Sequence, residues 1–256
     1  MHYRVKLYAV NGDEMNKILC ILIIFYLWPH ISQAQTNNGL IDWWKFDEGS
    51  GSTAIDSGSG GHNGTEVNGP TYIHGVIGPY ALNFNASNNN YISLGNVLNT
   101  SGTTNFSVSG WFLRGSQPGQ YTRAIGSETA SNTGFAIIFG PPTDQTLYIN
   151  RGGGSFLVIP YTAFSSTQFV MITMTYDGSK SSVYLNGVFY QKVTSDTSSA
   201  PSQTAWYIAE TAYSQAGFGA YNGDIDDVRI YNRALTAGEV YELFEAGAAN
   251  HLGDVF

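Results

Sequence analysis

Short apolar stretches alternate with polar positions through most of the chain, and runs of Gly, Ser, Asn and Asp separate them. That period of two places successive side chains on opposite faces of a strand. Leu40–Glu48 opens the series, with Leu40, Asp42, Trp44, Phe46 and Glu48 on one face. Tyr80–Phe84, Tyr91–Leu94, Phe106–Leu113, Arg123–Gly126, Phe135–Phe139, Thr146–Asn150 and Phe156–Ile159 follow. Phe169–Tyr176 runs into Asp177-Gly178, and Ser182–Leu185 meets Val188–Val193 through Asn186-Gly187. Asn-Gly suits a two-residue hairpin turn, because both turn residues need positive φ. Trp206–Ala209 is a further strand, and Gly223–Tyr231 is the last. By strict alternation Asp226 shares the face of Val228 and Ile230, where a bare carboxylate is costly without a partner. Asp227 falls on the opposite, solvated face.

The pattern changes period once. Thr236 and Glu239 form a capping box, and Leu235 can staple against Val240. Val240, Leu243 and Phe244 give an apolar stripe, and Gly247 is placed to end the helix. Strands at this spacing without interleaved helices predict an all-β, two-sheet antiparallel sandwich with one short C-terminal helix. A single domain over residues 38–248 is expected.

A different pattern precedes it. Ile18–Trp28 is an unbroken apolar run after Met15-Asn16-Lys17, followed by Ser32 and Ala34 at cleavage-site spacing. This reads as a signal peptide over residues 1–34, with translation beginning at Met15, and hence a secreted protein. The run is shorter than the ~20 residues of a membrane span.

Composition narrows the function. Of 256 residues, 14% are aromatic and 12% charged, with a net charge of −8. No basic run exists to hold a polyanion, so nucleic acid is excluded as a partner. The sole cysteine, Cys20, lies in the apolar leader, which removes disulfides and thiolate chemistry from the mature chain. Three histidines follow the leader: His62, His74 and His251. None stands in a catalytic setting.

Gly49–Gly64, G-S-G-S-T-A-I-D-S-G-S-G-G-H-N-G, has no regular pattern. It fits a flexible linker, or a loop of short oxygen side chains and freely turning carbonyls around a cation. Together, W-W-K-F-D-E-G-S-G at 43–51, A-I-D-S-G at 54–58 and N-G-T at 63–65 resemble the opening of a LamG-like domain. A-L-N-F at 81–84, Y-I-S-L at 91–94, F-S-V-S-G-W-F at 106–112, T-Y-D-G at 175–178, V-Y-L-N-G at 183–187 and G-D-I-D-D-V-R-I-Y-N-R-A-L at 223–235 continue it in order. Phe169 departs from the tryptophan usual in that family. The resemblance implies a jellyroll of the concanavalin A-like lectin/glucanase superfamily, its first and last strands adjacent.

It also implies a calcium site near the chain ends, with Asp56 and Asp226 as ligands and Asn63 and loop carbonyls completing the shell. The competing readings are a turn-forming role for Asp56, and for Asp226 a hydrogen bond to backbone amides or to Arg229. Relatives that cleave glycans carry an E-x-D-x-x-E strand or a clustered Arg, Gln-x-His and Tyr, and neither is present. A non-catalytic, lectin-like module binding a polysaccharide or glycoconjugate is therefore expected, with an adhesion module binding an extracellular protein as the rival. Sugars stack on aromatic rings and bond to polar loops. The candidates are Tyr121, Glu128, Trp206, Tyr213 and Tyr221. For Trp206 and Tyr221 a core or sheet-face position is the stronger expectation.

Overall fold

The computed structural model describes residues 36–98, 105–116, 119–127, 134–151, 156–193, 205–210 and 218–253. The expected signal peptide lies outside these residues. The chain divides into one unit ending at Asn38 and a second over Gly39–Phe256. The second unit is a two-sheet sandwich.

The first sheet has the order β14 (Val188–Val193), β13 (Ser181–Leu185), β12 (Val170–Tyr176), β7 (Phe106–Arg114), β17 (Gly223–Tyr231), β5 (Tyr80–Phe84), β4 (Thr71–His74). β1 (Leu40–Trp44) also pairs with β17. The second sheet has the order β11 (Phe156–Pro160), β10 (Thr146–Arg151), β9 (Phe135–Phe139), β8 (Tyr121–Gly126), β15 (Trp206–Ile208), β6 (Tyr91–Gly95), β3 (Gly64–Val67), β2 (Thr53–Ala54). β16 (Phe218–Gly219) adds a parallel pairing to β8. The remaining pairings are antiparallel, so the expected jellyroll-type sandwich is what forms. β2, β3 and β4 are short strands within stretches that the alternation does not mark.

The inward faces carry one core. Trp44, Phe84, Phe106, Phe112, Phe135, Phe139, Val228 and Ile230 are all fully buried within it. Leu40–Trp44 is shorter than its alternation suggests. Phe46 takes φ 59°, a left-handed value that ends the extended run. Asn186 and Gly187 have φ 48° and 76°, as their two-residue turn requires.

The outer face of the first sheet lies under α1 (Ala237–Gly253). Val240, Leu243 and Phe244 pack there with Trp111, Met171 and Tyr231. The capping box forms: Glu239 N–H donates to Thr236 Oγ1 at 3.3 Å, and Thr236 N–H donates to Glu239 Oε2 at 2.8 Å. Arg233 clamps the same carboxylate through two nitrogens at 2.8 and 2.7 Å. The helix does not stop at Gly247 but runs on to Gly253. Gly247 instead serves close packing, since a Cβ there would stand 2.4 Å from Trp111 Cζ2.

β17 departs from alternation at one place. Asp226 pairs with Trp111 and Arg229 with Ser109, so the last strand gains one residue on its partner, a β-bulge. The bulge falls where β17 changes its second neighbour from β5 to β1. It moves Asp226 onto the outer face with Trp111, away from Val228 and Ile230. Asp227, at φ 48°, stays on the face of Arg229, but it is buried there rather than solvated. Asp227 is buried and pairs with Arg229, whose Nε lies 3.1 Å from its Oδ2. Trp43 Nε1–H also donates to Asp227, and the Arg229 guanidinium lies 4.2 Å over the Trp43 ring.

Candidate functional site

The outer face of the second sheet differs in chemistry from the first. Register places Tyr148 opposite Val158 and Ile138, and Ile138 opposite Arg123, so these four share that face. Tyr121 meets Tyr148 edge-on at 5.9 Å. Tyr207 pairs with Ser93 of β6 and meets Tyr91 edge-on at 6.2 Å. All four tyrosines are half-buried, with part of each residue in solvent.

Two of the four hydroxyls are anchored. Tyr121 and Tyr148 each donate to Asp144 Oδ2 at 2.8 Å. Burial alone would raise the Asp144 carboxyl, but the bonds from Tyr148, Tyr121 and Thr146 outweigh it and hold the acid below its ordinary value. It is therefore ionised at neutral pH and fixes both rings before any ligand arrives. Glu210 follows β15, and its charge acts on Tyr91. Burial raises its carboxyl to about 7.

The other expected sugar contacts are placed differently. Trp206 is fully buried, stacked on Phe135 at 5.6 Å, with its indole N–H on Leu98 O at 3.1 Å. Tyr221 is fully buried and donates to Leu113 O at 3.2 Å. A ring with no exposed surface offers nothing to a sugar, so both are core residues. Glu128 and Tyr213 lie outside the described residues. Tyr148, Tyr91 and Tyr207 were missed at sequence level. Their signal was the polar phase of β10, β6 and β15, in which a large tyrosine repeatedly takes the outward position.

A second cluster forms where β1 meets the loop before β3. Asp56 Oδ1 accepts from Trp43 N–H at 2.8 Å and Gly58 N–H at 2.7 Å, and Oδ2 accepts from His62 N–H at 3.0 Å. One carboxylate thus organises the whole loop. Burial raises its pKa, while those three amides lower it further than burial lifts it. Asn63 Oδ1 accepts the Asp56 N–H at 2.9 Å. Asp42, fully buried, meets His62 Nδ1 at 2.6 Å through Oδ1. Burial, with the adjacent Asp56 carboxylate, raises Asp42 to about 6 against the opposing effect of His62.

Asp226 lies in another setting. Its Oδ2 accepts from Val76 N–H at 2.7 Å and Ile77 N–H at 3.0 Å, while its Oδ1 is buried without a hydrogen-bond donor. Burial raises it to about 8, and the charges of Asp227 and Asp47 add to the rise. Asp47 is tied to the same turn, because Tyr80 N–H donates to its Oδ1 at 3.3 Å. The orphaned Asp226 oxygen and the Asp47 carboxylate, whose charge acts on it, are oxygen donors, the ligand type that calcium takes. The structure joins Asp56 to Asp42 and His62, and Asp226 to the Val76–Ile77 backbone.

Comparison with known proteins agrees with this architecture. The Laminin_G_3 family, described as concanavalin A-like lectin/glucanases superfamily, matches residues 86–241. The chain belongs to that family. No curated protein sequence matches the chain. Among solved structures, domain 4 of AbnA, a GH43 extracellular arabinanase from Geobacillus stearothermophilus in complex with arabinotriose, is 22% identical with a TM-score of 0.62. That alignment covers 80% of this chain and 97% of the domain. The binding domain of Paraclostridial Mosquitocidal Protein 1 is 17% identical, with a TM-score of 0.65 and coverage of 83% and 53%. The binding domain of botulinum neurotoxin serotype D is 16% identical, with a TM-score of 0.62 and coverage of 84% and 52%. The chain thus spans about half the length of these two binding domains. At such identities the likeness is one of fold. Among the described residues, no helix is long and apolar enough to cross a membrane.

Proposed function

We propose that this Laminin_G_3 protein is a secreted, non-catalytic carbohydrate-binding module whose glycan lies across the outer face of the second sheet. The observation that carries the reading is the half-exposed tyrosine set Tyr91, Tyr121, Tyr148 and Tyr207, with two hydroxyls pinned by Asp144. Tyrosine rings give a sugar an apolar face and a hydrogen-bonding tip, and fixing them in advance lowers the cost of ordering on binding. The AbnA domain bound to arabinotriose supports a neutral oligosaccharide as the ligand class.

Calcium belongs to the same reading as a structural ion. Asp226 and Asp47 would hold it at the turn between β4 and β5, where it would neutralise the buried carboxylate. Its contribution is to steady the bulge in β17, away from the tyrosine face.

A glycan array tests the function, using wild-type protein with and without chelator and a Tyr148→Ala, Tyr207→Ala double variant. Binding by the wild type and loss in the variant support the proposal. Silence across neutral polysaccharides overturns it and favours a protein partner. Cleavage of a bound glycan overturns the non-catalytic assignment.

A further inference from the structure

The Asp42–Asp56–His62 cluster shares no residue with the tyrosine face or with the Asp226 turn. One ligand atom from each of the three residues lies within 4.8 Å of the other two. Acidic clusters are common without an ion, but this one has a buried defect. Asp42 is fully buried, and its Oδ2 has no hydrogen-bond donor. Its carboxyl faces Asp56, with a carboxylate oxygen of each within 4.8 Å of the other. Two facing carboxyl groups need a proton or a cation between them.

Space is kept beside the ligand atoms. A Cβ on Gly60 would stand 2.3 Å from Asp42 Oδ1 and 2.6 Å from His62 Nδ1. A Cβ on Gly58 would stand 2.2 Å from Ile41 O, so the loop closes against β1 only with glycine there. The His62 side chain keeps 33% of its exposure, which gives an ion a way in.

We propose that Asp42, Asp56 and His62 bind a divalent transition-metal ion of the zinc type. An imidazole nitrogen beside carboxylate oxygens suits zinc, whereas calcium takes oxygen ligands. Three protein ligands leave a coordination position for water. β1 belongs to the first sheet, and the Asp56–His62 loop leads into β3 of the second. The ion therefore staples the two sheets at the start of the domain.

The test is a calorimetric titration of chelator-stripped protein with zinc chloride. Wild type and Asp226→Asn should each bind one zinc per chain and melt at a higher temperature with it. Asp42→Asn and His62→Gln should lose both the heat and the shift. The Asp42→Asn amide can donate to Asp56, which keeps that variant folded. An unchanged titration in His62→Gln, or no binding by wild type, overturns the proposal. Proton NMR on the wild type gives a readout independent of the variants. Zinc should move the imidazole signals of His62 and leave those of His74 in place; movement at His74 alone, or at neither, contradicts the assignment. The Asp226→Asn arm separates this site from the calcium proposal, since failure of one leaves the other standing.

Discussion

The two sheets of this protein have the same strand logic inside and opposite treatment outside. The outer face of the first sheet carries Trp111, Met171 and Tyr231, and α1 closes over them. Trp111 stacks on Phe244 at 5.7 Å with a 22° tilt, and Gly247 lets the helix approach. The outer face of the second sheet carries large aromatics too, but each tyrosine keeps part of its ring in solvent. The difference teaches where each aromatic acts. Under the helix, aromatic area stabilises the fold through burial and packing. On the open face part of that area stays in solvent, and the hydroxyls of Tyr121 and Tyr148 hold their rings through Asp144.

The contrast can be broken from either side. Trp111→Ala should cost about 3–5 kcal/mol in chemical denaturation and leave glycan affinity unchanged, since it empties only the covered face. Gly247→Ala should cost less, about 1–3 kcal/mol by the same measurement, because the new methyl meets the Trp111 ring. Removing calcium should lower the wild-type melting temperature by several degrees, and Asp226→Ala should melt lower and show no response to added calcium.

Glu210 gives a smaller effect with a defined sign. Burial raises its folded pKa from 4.5 to about 7, so its stabilising contribution is complete below 4.5 and is lost as pH rises through 7. Glu210→Gln should therefore match wild-type stability near pH 4.5 and exceed it above pH 7 in paired denaturation curves. Tyr148→Phe should change least, about 0.5–1.5 kcal/mol for the lost hydroxyl bond, and should weaken glycan binding less than Tyr148→Ala.

The sandwich was legible in the chain because alternation, the Asn186-Gly187 turn and the Thr236–Glu239 capping box each report on local geometry. The position of Asp226 was not, because a bulge is invisible to a period of two. One extra residue between Asp226 and Arg229 changes the face of every earlier side chain in the strand. Asp42 stood on the Trp44 face in the alternation, but its partner His62 is distant in sequence and arrives only when the Asp56 loop folds back on β1. Gly247 reads as a helix stop by type, and only the Trp111 ring above it shows that contact is its role. The tyrosine face was not legible for a similar reason: an outward tyrosine in one strand is ordinary, and four acquire meaning only when register sets them on one face.

The central claim is that ligand recognition belongs to the uncovered face. The most direct measurement is backbone and aromatic NMR shift mapping during titration with arabinotriose or the strongest neutral oligosaccharide on the array. The account predicts saturable shifts centred on Tyr91, Tyr121, Tyr148 and Tyr207, with Trp111 and Phe244 unmoved. Shifts centred on α1 or on the Asp56–His62 loop, with the four tyrosines silent, would contradict it.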